Sequence, residues 1–136
     1  MHYNWAAERP QRIACIAGIY PVCDIRSYPG LERACSAYGM SEEELEKHLS
    51  EHSPIERLAL LAEADVPIYH IHGDSDEGVP LTANSMELAQ RYKRLGGRVE
   101  LVIIQGKGHD ESADFFECRG LVDFVLNEGR RLPGAH

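Results

Sequence analysis

His72-Gly73-Asp74-Ser75-Asp76-Glu77-Gly78-Val79-Pro80 follows directly on the apolar run Val66-Pro67-Ile68-Tyr69-His70-Ile71. A second loop, Gln105-Gly106-Lys107-Gly108-His109-Asp110, follows in the same way on Val99-Glu100-Leu101-Val102-Ile103-Ile104. Short apolar runs of this kind, bounded by turn residues, suit strands covered on both faces of a parallel sheet. In an open parallel sheet ligands collect at the carboxyl ends of the strands, which is where both loops fall. One loop brings carboxylates and the other an imidazole, the two groups that together make an oriented general base. Nothing in the chain presents a nucleophile for that base to serve.

Outward from the two loops, Arg12-Ile13-Ala14-Cys15-Ile16-Ala17-Gly18-Ile19-Tyr20 is a third apolar run and a third expected strand, over residues 12–20. Residues 2–9 read as the end of a helix, with Trp5, Ala6 and Ala7 on a packed face and Pro10 forcing the stop. Pro21 to Gly39 reads as irregular, with a turn at Pro29-Gly30. Ser41 with Glu44 is a capping box opening a helix through about Leu49. Ser53 with Glu56 repeats the device, Pro54 suits the first helical position, and Ile55, Leu58, Ala59 and Ala62 keep helical spacing. A helix after Pro80 is expected to bury Leu88, Ala89, Tyr92 and Leu95 and to end at Gly96-Gly97. A last helix, from about Ser112 to Gly129, carries Phe115, Val122, Val125 and Leu126 on one side. This order predicts the α/β class: a three-layer α/β/α arrangement around three parallel strands with right-handed crossovers.

With 136 residues the chain makes one domain, and 43% hydrophobic with 26% charged residues is ordinary for a globular protein in water. A formal charge of -8 argues against nucleic acid or an anionic membrane as partner. No stretch approaches the roughly 18 unbroken apolar residues of a membrane span. The first ten residues lack the basic start and apolar core of a signal peptide, which favours the cytoplasm for the chain as it stands. Cys15, Cys23, Cys35 and Cys118 show no CxxC or zinc-ligand spacing and read as reduced structural thiols, Cys15 buried in its strand. Nothing in the spacing supports a Cys23–Cys35 bridge. Asp74 to Gly78 superficially suggests a calcium loop, but the glycine falls one position early and no glutamate closes a twelve-residue loop. Neither a metal nor a cofactor is expected.

The segment HGDSDEGVP at 72–80, followed by GKGH at 106–109, resembles the C-terminal half of the α/β-hydrolase fold. The nearest look is to esterases and to prolyl-oligopeptidase-like or dienelactone-hydrolase-like enzymes. The resemblance covers nearly all of the chain, including Ser53 to Leu61 and the helix ending at Gly97. It implies that Asp76 supplies the acid of a catalytic triad after the seventh strand, and His109 the histidine after the eighth. The family's Gly-x-Ser-x-Gly nucleophile motif should precede both, and it is absent. Gly73-Asp74-Ser75-Asp76-Glu77 lacks the final glycine and occupies the acid loop, while Ser27, Ser36, Ser41 and Ser85 have no such context. On the resemblance, residues 1–136 are therefore the C-terminal portion of a catalytic domain, carrying strands six to eight. Residues 21–53 then form either a cap over the substrate pocket, with Tyr20, Tyr28 and Tyr38 available to line it, or a plain connection.

A serine hydroxyl attacks only when a histidine takes its proton, and the histidine needs an acid to fix its tautomer. Asp76 competes for that role with Asp74, which can organise the turn instead, and with Asp24, which follows the first strand as the acid does in some members of this fold. His72 is expected to anchor its loop by hydrogen bonds, and His70 to be a satisfied core residue. The implied function is a serine hydrolase of carboxylic esters or peptide bonds, inactive without a nucleophile and oxyanion hole from outside this chain. Its expected partners are a small ester or peptide substrate and either the missing N-terminal half or a second copy joined through edge strand 13–20, since uncovered apolar edges recruit other chains. The other class of reading is a non-catalytic α/β module that binds a ligand or partner at its strand ends.

Overall fold

The structure, a computed structural model, describes residues 2–130. Its sheet has three parallel strands in the order β1 (Ile16–Ile19), β2 (Ile68–Gly73), β3 (Val99–Ile104). Ile16 pairs with Ile68 and Ile68 with Val99, so the three strands start level and their carboxyl ends open on one rim.

Only the central strand behaves as a strand covered on both faces: β2 is buried at all six positions. The first strand is shorter than the apolar run 12–20, because Pro10–Arg12 close a 3₁₀ turn and pairing starts at Ile16. It is only half-buried, with Ala17 exposed, since β1 has a sheet neighbour on one side alone among the described residues. Cys15 precedes the strand and is half-buried, so the expectation of a buried thiol there is corrected; the buried one is Cys23. All four cysteines are free.

Alternate residues of a strand project to opposite faces, and β2 uses both. Ile68 faces a core shared with α1 (His2–Glu8), α5 (Ala59–Glu63) and α6 (Glu87–Arg94), through Tyr3, Ala6, Leu61 and Leu88. Tyr92 of α6 joins that core and its hydroxyl donates to the Val66 carbonyl at 2.6 Å. Tyr69 faces the other way, against Phe124 of α8 (Arg119–Gly129), with ring centroids 5.3 Å apart. Helices on both faces of a parallel sheet make the three-layer α/β fold.

Between β1 and β2 the chain leaves the sheet and folds α2 (Leu31–Tyr38), α3 (Glu42–Lys47) and α4 (Leu49–His52) around a small core of Ile25, Ala34, Leu45 and Leu49. Residues 31–38, expected to be irregular, are thus helical. The capping box at Ser41 forms, its hydroxyl accepting from Glu44 N at 3.2 Å and Ser41 N donating to the Glu44 carboxylate at 2.8 Å. The second box does not: the Ser53 hydroxyl turns inward to the Cys23 carbonyl and the Asp24 carboxylate, and Pro54–Glu56 form a 3₁₀ turn instead.

The last helix is also two. Ala113–Phe116 form one short turn, α7, and an extended Cys118 separates it from α8. That break resets the helical phase, so Phe115 is buried while Val122, Val125 and Leu126 are exposed and Phe124 takes the sheet-facing place. Leu95 is likewise exposed, because it lies just past the end of α6.

Candidate active site

Gly73 ends β2 where no larger residue fits: a Cβ there would lie 2.1 Å from the Lys107 carbonyl oxygen. The two loops therefore touch along their backbones, Ser75 N donating to Lys107 O at 3.0 Å and Asp74 N to Ile104 O at 3.2 Å. Asp74 spends its carboxylate on the second loop, accepting from Gly106 N at 2.8 Å, where Gly106 adopts a φ of 70° that favours glycine. Asp24 lies in the excursion and pairs with the Arg26 guanidinium at 2.9 Å. Of the three competing aspartates, Asp76 is the one that meets His109.

Asp76 is buried, and its two oxygens are divided between two donors. Oδ1 accepts from Val79 N at 2.7 Å and Oδ2 from His109 Nδ1 at 2.8 Å. The His109 side chain is 43% exposed, open enough for a reactant to reach it. A proton held on Nδ1 by the carboxylate leaves Nε2 bare, the nitrogen that can take a proton from a hydroxyl or water. His72, fully buried, bonds the Val79 carbonyl through Nε2 at 2.8 Å and the Ser85 hydroxyl through Nδ1 at 2.8 Å. Burial pushes its pKa down, which the Val79 carbonyl and Asp76 only partly offset.

Tyr20 is the residue whose role at His109 the sequence concealed. It follows β1 with a φ of 33°, a strained value for a residue with a bulky side chain, and its ring lies against the His109 imidazole at 4.0 Å between centroids. Phe115 holds the ring from the side, edge-on at 5.2 Å. Burial, then the carboxylates of Glu111, Asp110 and Asp76, raise the Tyr20 pKa, so the phenol is uncharged at neutral pH. The sequence offered Tyr20 as a pocket-lining aromatic at the tip of the strand, just before Pro21, but not its contact with His109.

Beside His109 opens a cavity of about 380 Å³, walled chiefly by Tyr20, Val22, Tyr28 and Val79. The excursion thus contributes Tyr28 to the cavity, while Tyr38 lies elsewhere, against His52 at 4.7 Å. Among the described residues no group of three or more histidine, cysteine or acidic side chains is placed to hold a metal ion. Nor is any described helix long and apolar enough to cross a membrane.

Comparison with known proteins identifies the lineage. Dipeptidyl peptidase 4 from Porphyromonas gingivalis superposes with a TM-score of 0.62 at 17% identity, over 81% of this chain and 15% of that one. TT1662 from Thermus thermophilus superposes with a TM-score of 0.62 at 19% identity, over 93% of this chain and 50% of that one. At such identities the likeness carries the fold alone, and the chain spans half or less of either protein's length. No curated protein matches it. The sequence profile of the prolyl oligopeptidase family runs through residues 1–127, across all three strands and both loops, and the chain belongs to the prolyl oligopeptidase family.

Proposed function

We propose that this chain supplies the acid and the histidine of a serine hydrolase site acting on carboxylic ester or peptide bonds, with His109 as general base and Asp76 as its orienting acid. The observation that carries the reading is the 2.8 Å bond between His109 Nδ1 and Asp76 Oδ2, made at the sheet rim by residues from two different loops. Membership of the prolyl oligopeptidase family supports it. The nucleophile is a serine outside residues 1–136, since no Gly-x-Ser-x-Gly occurs within them.

In the first step the serine Oγ attacks the substrate carbonyl while His109 Nε2 takes its proton. Asp76 stays ionised and stabilises the imidazolium. The proton then passes to the leaving alcohol or amine as the acyl bond breaks, and a water repeats the sequence to release the acid. The cavity walled by Val22, Tyr28 and Val79 suits an apolar group next to the scissile carbonyl.

Completion through β1 follows from the same reading. Its partner is either a segment carrying the nucleophile strand or, failing that, a second copy, paired along residues 13–20. The test is labelling by a fluorophosphonate, of the isolated chain and of the chain completed with a segment bearing Gly-x-Ser-x-Gly. Only the completed protein is expected to be labelled and to hydrolyse an ester or peptide. There, His109→Ala should abolish turnover, and Asp76→Asn should lower kcat by about 10⁴-fold, as loss of the orienting acid does in serine proteases. Labelling of the isolated chain would overturn the proposal. The missing serine is also what favours the second reading, a binding module without catalysis, which predicts no turnover after completion.

A further inference from the structure

We infer that Tyr3, His70, Ser85 and His72 form a one-way hydrogen-bond ladder, rooted in α1, that fixes the Asp76 loop, with His72 as the positioning residue for the Asp76 carboxylate. The direction is set at the far end. A carbonyl only accepts, so the 2.8 Å contact of His72 Nε2 with Val79 O places the proton on Nε2. His72 is fully buried and neutral, so its Nδ1 carries no proton and accepts from the Ser85 hydroxyl at 2.8 Å. That hydroxyl has one proton and has now used it. His70 Nδ1, 3.0 Å from the same oxygen, must therefore be the donor.

Burial holds His70 neutral, with a pKa lowered to about 3, which leaves Nε2 as an acceptor. The Tyr3 hydroxyl, 2.6 Å away, donates to it, and burial keeps that phenol protonated. Reversing any single link would bring two protons or two lone pairs face to face. The four links run in one sense only.

The geometry explains why one serine serves two histidines. Residues 70 and 72 project to the same face of β2, and Ser85 sits in a π turn, Thr82–Met86, opposite both. At the loop, Val79 is gripped by both of its peptide groups: its carbonyl by His72, its N–H by Asp76 Oδ1 at 2.7 Å. His72 Nε2 also lies 3.4 Å from Asp76 Oδ2, the oxygen that His109 uses. Apolar side chains of similar size would fill this space without desolvation cost, but none would fix the rotation of the loop about β2.

The ladder itself is independent of catalysis; only its consequence for His109 rests on the function proposed above. Ring ¹⁵N–¹H spectroscopy of the chain tests it directly. Expected are a His70 with its proton on Nδ1 that does not titrate between about pH 5 and 8, and a His72 with its proton on Nε2 that titrates below the ordinary histidine value. In mildly alkaline solution His109 should carry its proton mainly on Nδ1. Ser85→Ala should cut that Nδ1–H share of His109 by about half, and Ser85→Thr, which keeps the hydroxyl, should restore it. Tyr3→Phe, at the outer end, should leave His70 with its proton still on Nδ1 and the fold intact, because the Ser85 oxygen alone demands that proton. A His72 protonated on Nδ1 or cationic at neutral pH would overturn the inference, as would a folded Ser85→Ala protein whose His109 is unchanged. None of these readings involves turnover, so a failed hydrolysis test and a failed ladder are separate results.

Discussion

His70 and His72 are buried imidazoles held neutral, and each carries a linkage to pH. In the unfolded chain both titrate near the ordinary value of about 6.5. In the folded chain His70 is lowered to about 3, first by burial and then by its neighbour His72, and His72 is lowered by burial as well. Between those values the unfolded state binds more protons, so this contribution is fully present above about pH 6.5 and is lost as pH falls toward 3. For His70 alone the slope is at most about 1.4 kcal/mol per pH unit. The urea midpoint should therefore fall steadily from about pH 7 to about pH 5. A midpoint that stays level would show that the histidines are not buried as neutral pairs. Sequence placed His70 in the core and His72 on the loop from their positions in and after a strand, whereas β2 runs on through His72, which pairs with Ile103. Nor could sequence say that one hydroxyl joins them, because Ser85 lies in another element and only packing brings it there.

At the scale of elements, the junction of β2 and β3 with their loops is the most constrained part of the chain. Gly73→Ala would drive a methyl group into the Lys107 backbone, with the carbonyl carbon 2.7 Å and the oxygen 2.1 Å away. Backbone cannot swing aside as a side chain can, so the loops must part. A loss of about 3 kcal/mol or more is expected, at the upper end of overpacking costs. Thermal unfolding should show it, and loss of the His109 Nδ1–H signal should accompany it. Ser41→Ala should cost about 1 kcal/mol and act locally, seen as faster amide exchange in α3. The contrast between Ser41 and Ser53 shows where motif reading stops. At Ser41 the partners are three residues away, so the box forms from local geometry. At Ser53 the hydroxyl is buried beside Cys23 and Asp24, thirty residues back, and those contacts win over the cap.

Over the whole molecule, the outstanding feature is a sheet whose first strand has a neighbour on one side alone among the described residues. Its open side, with large exposed apolar side chains elsewhere such as Trp5 and Leu126, makes self-association the expected behaviour of the isolated chain. Size-exclusion chromatography should show oligomers or aggregates, and Ala17→Lys, a charge at the exposed position of that edge, should shift them toward monomer. A stable wild-type monomer would count against pairing through β1. Sequence alone determined the three strands, their order along the chain, the α/β class and the two loops that carry Asp76 and His109. Apolar runs, turn residues and caps are short-range properties, written within a few residues of where they act. Tertiary structure alone decided the ends of β1, the exposure of Val122 and Val125, the contact of Tyr20 with His109, and the ladder from Tyr3 to His72. Those depend on which atoms meet across 13 to 67 residues of chain in the ladder and across still more between Tyr20 and His109, and strand register and helix phase set that, not any local pattern.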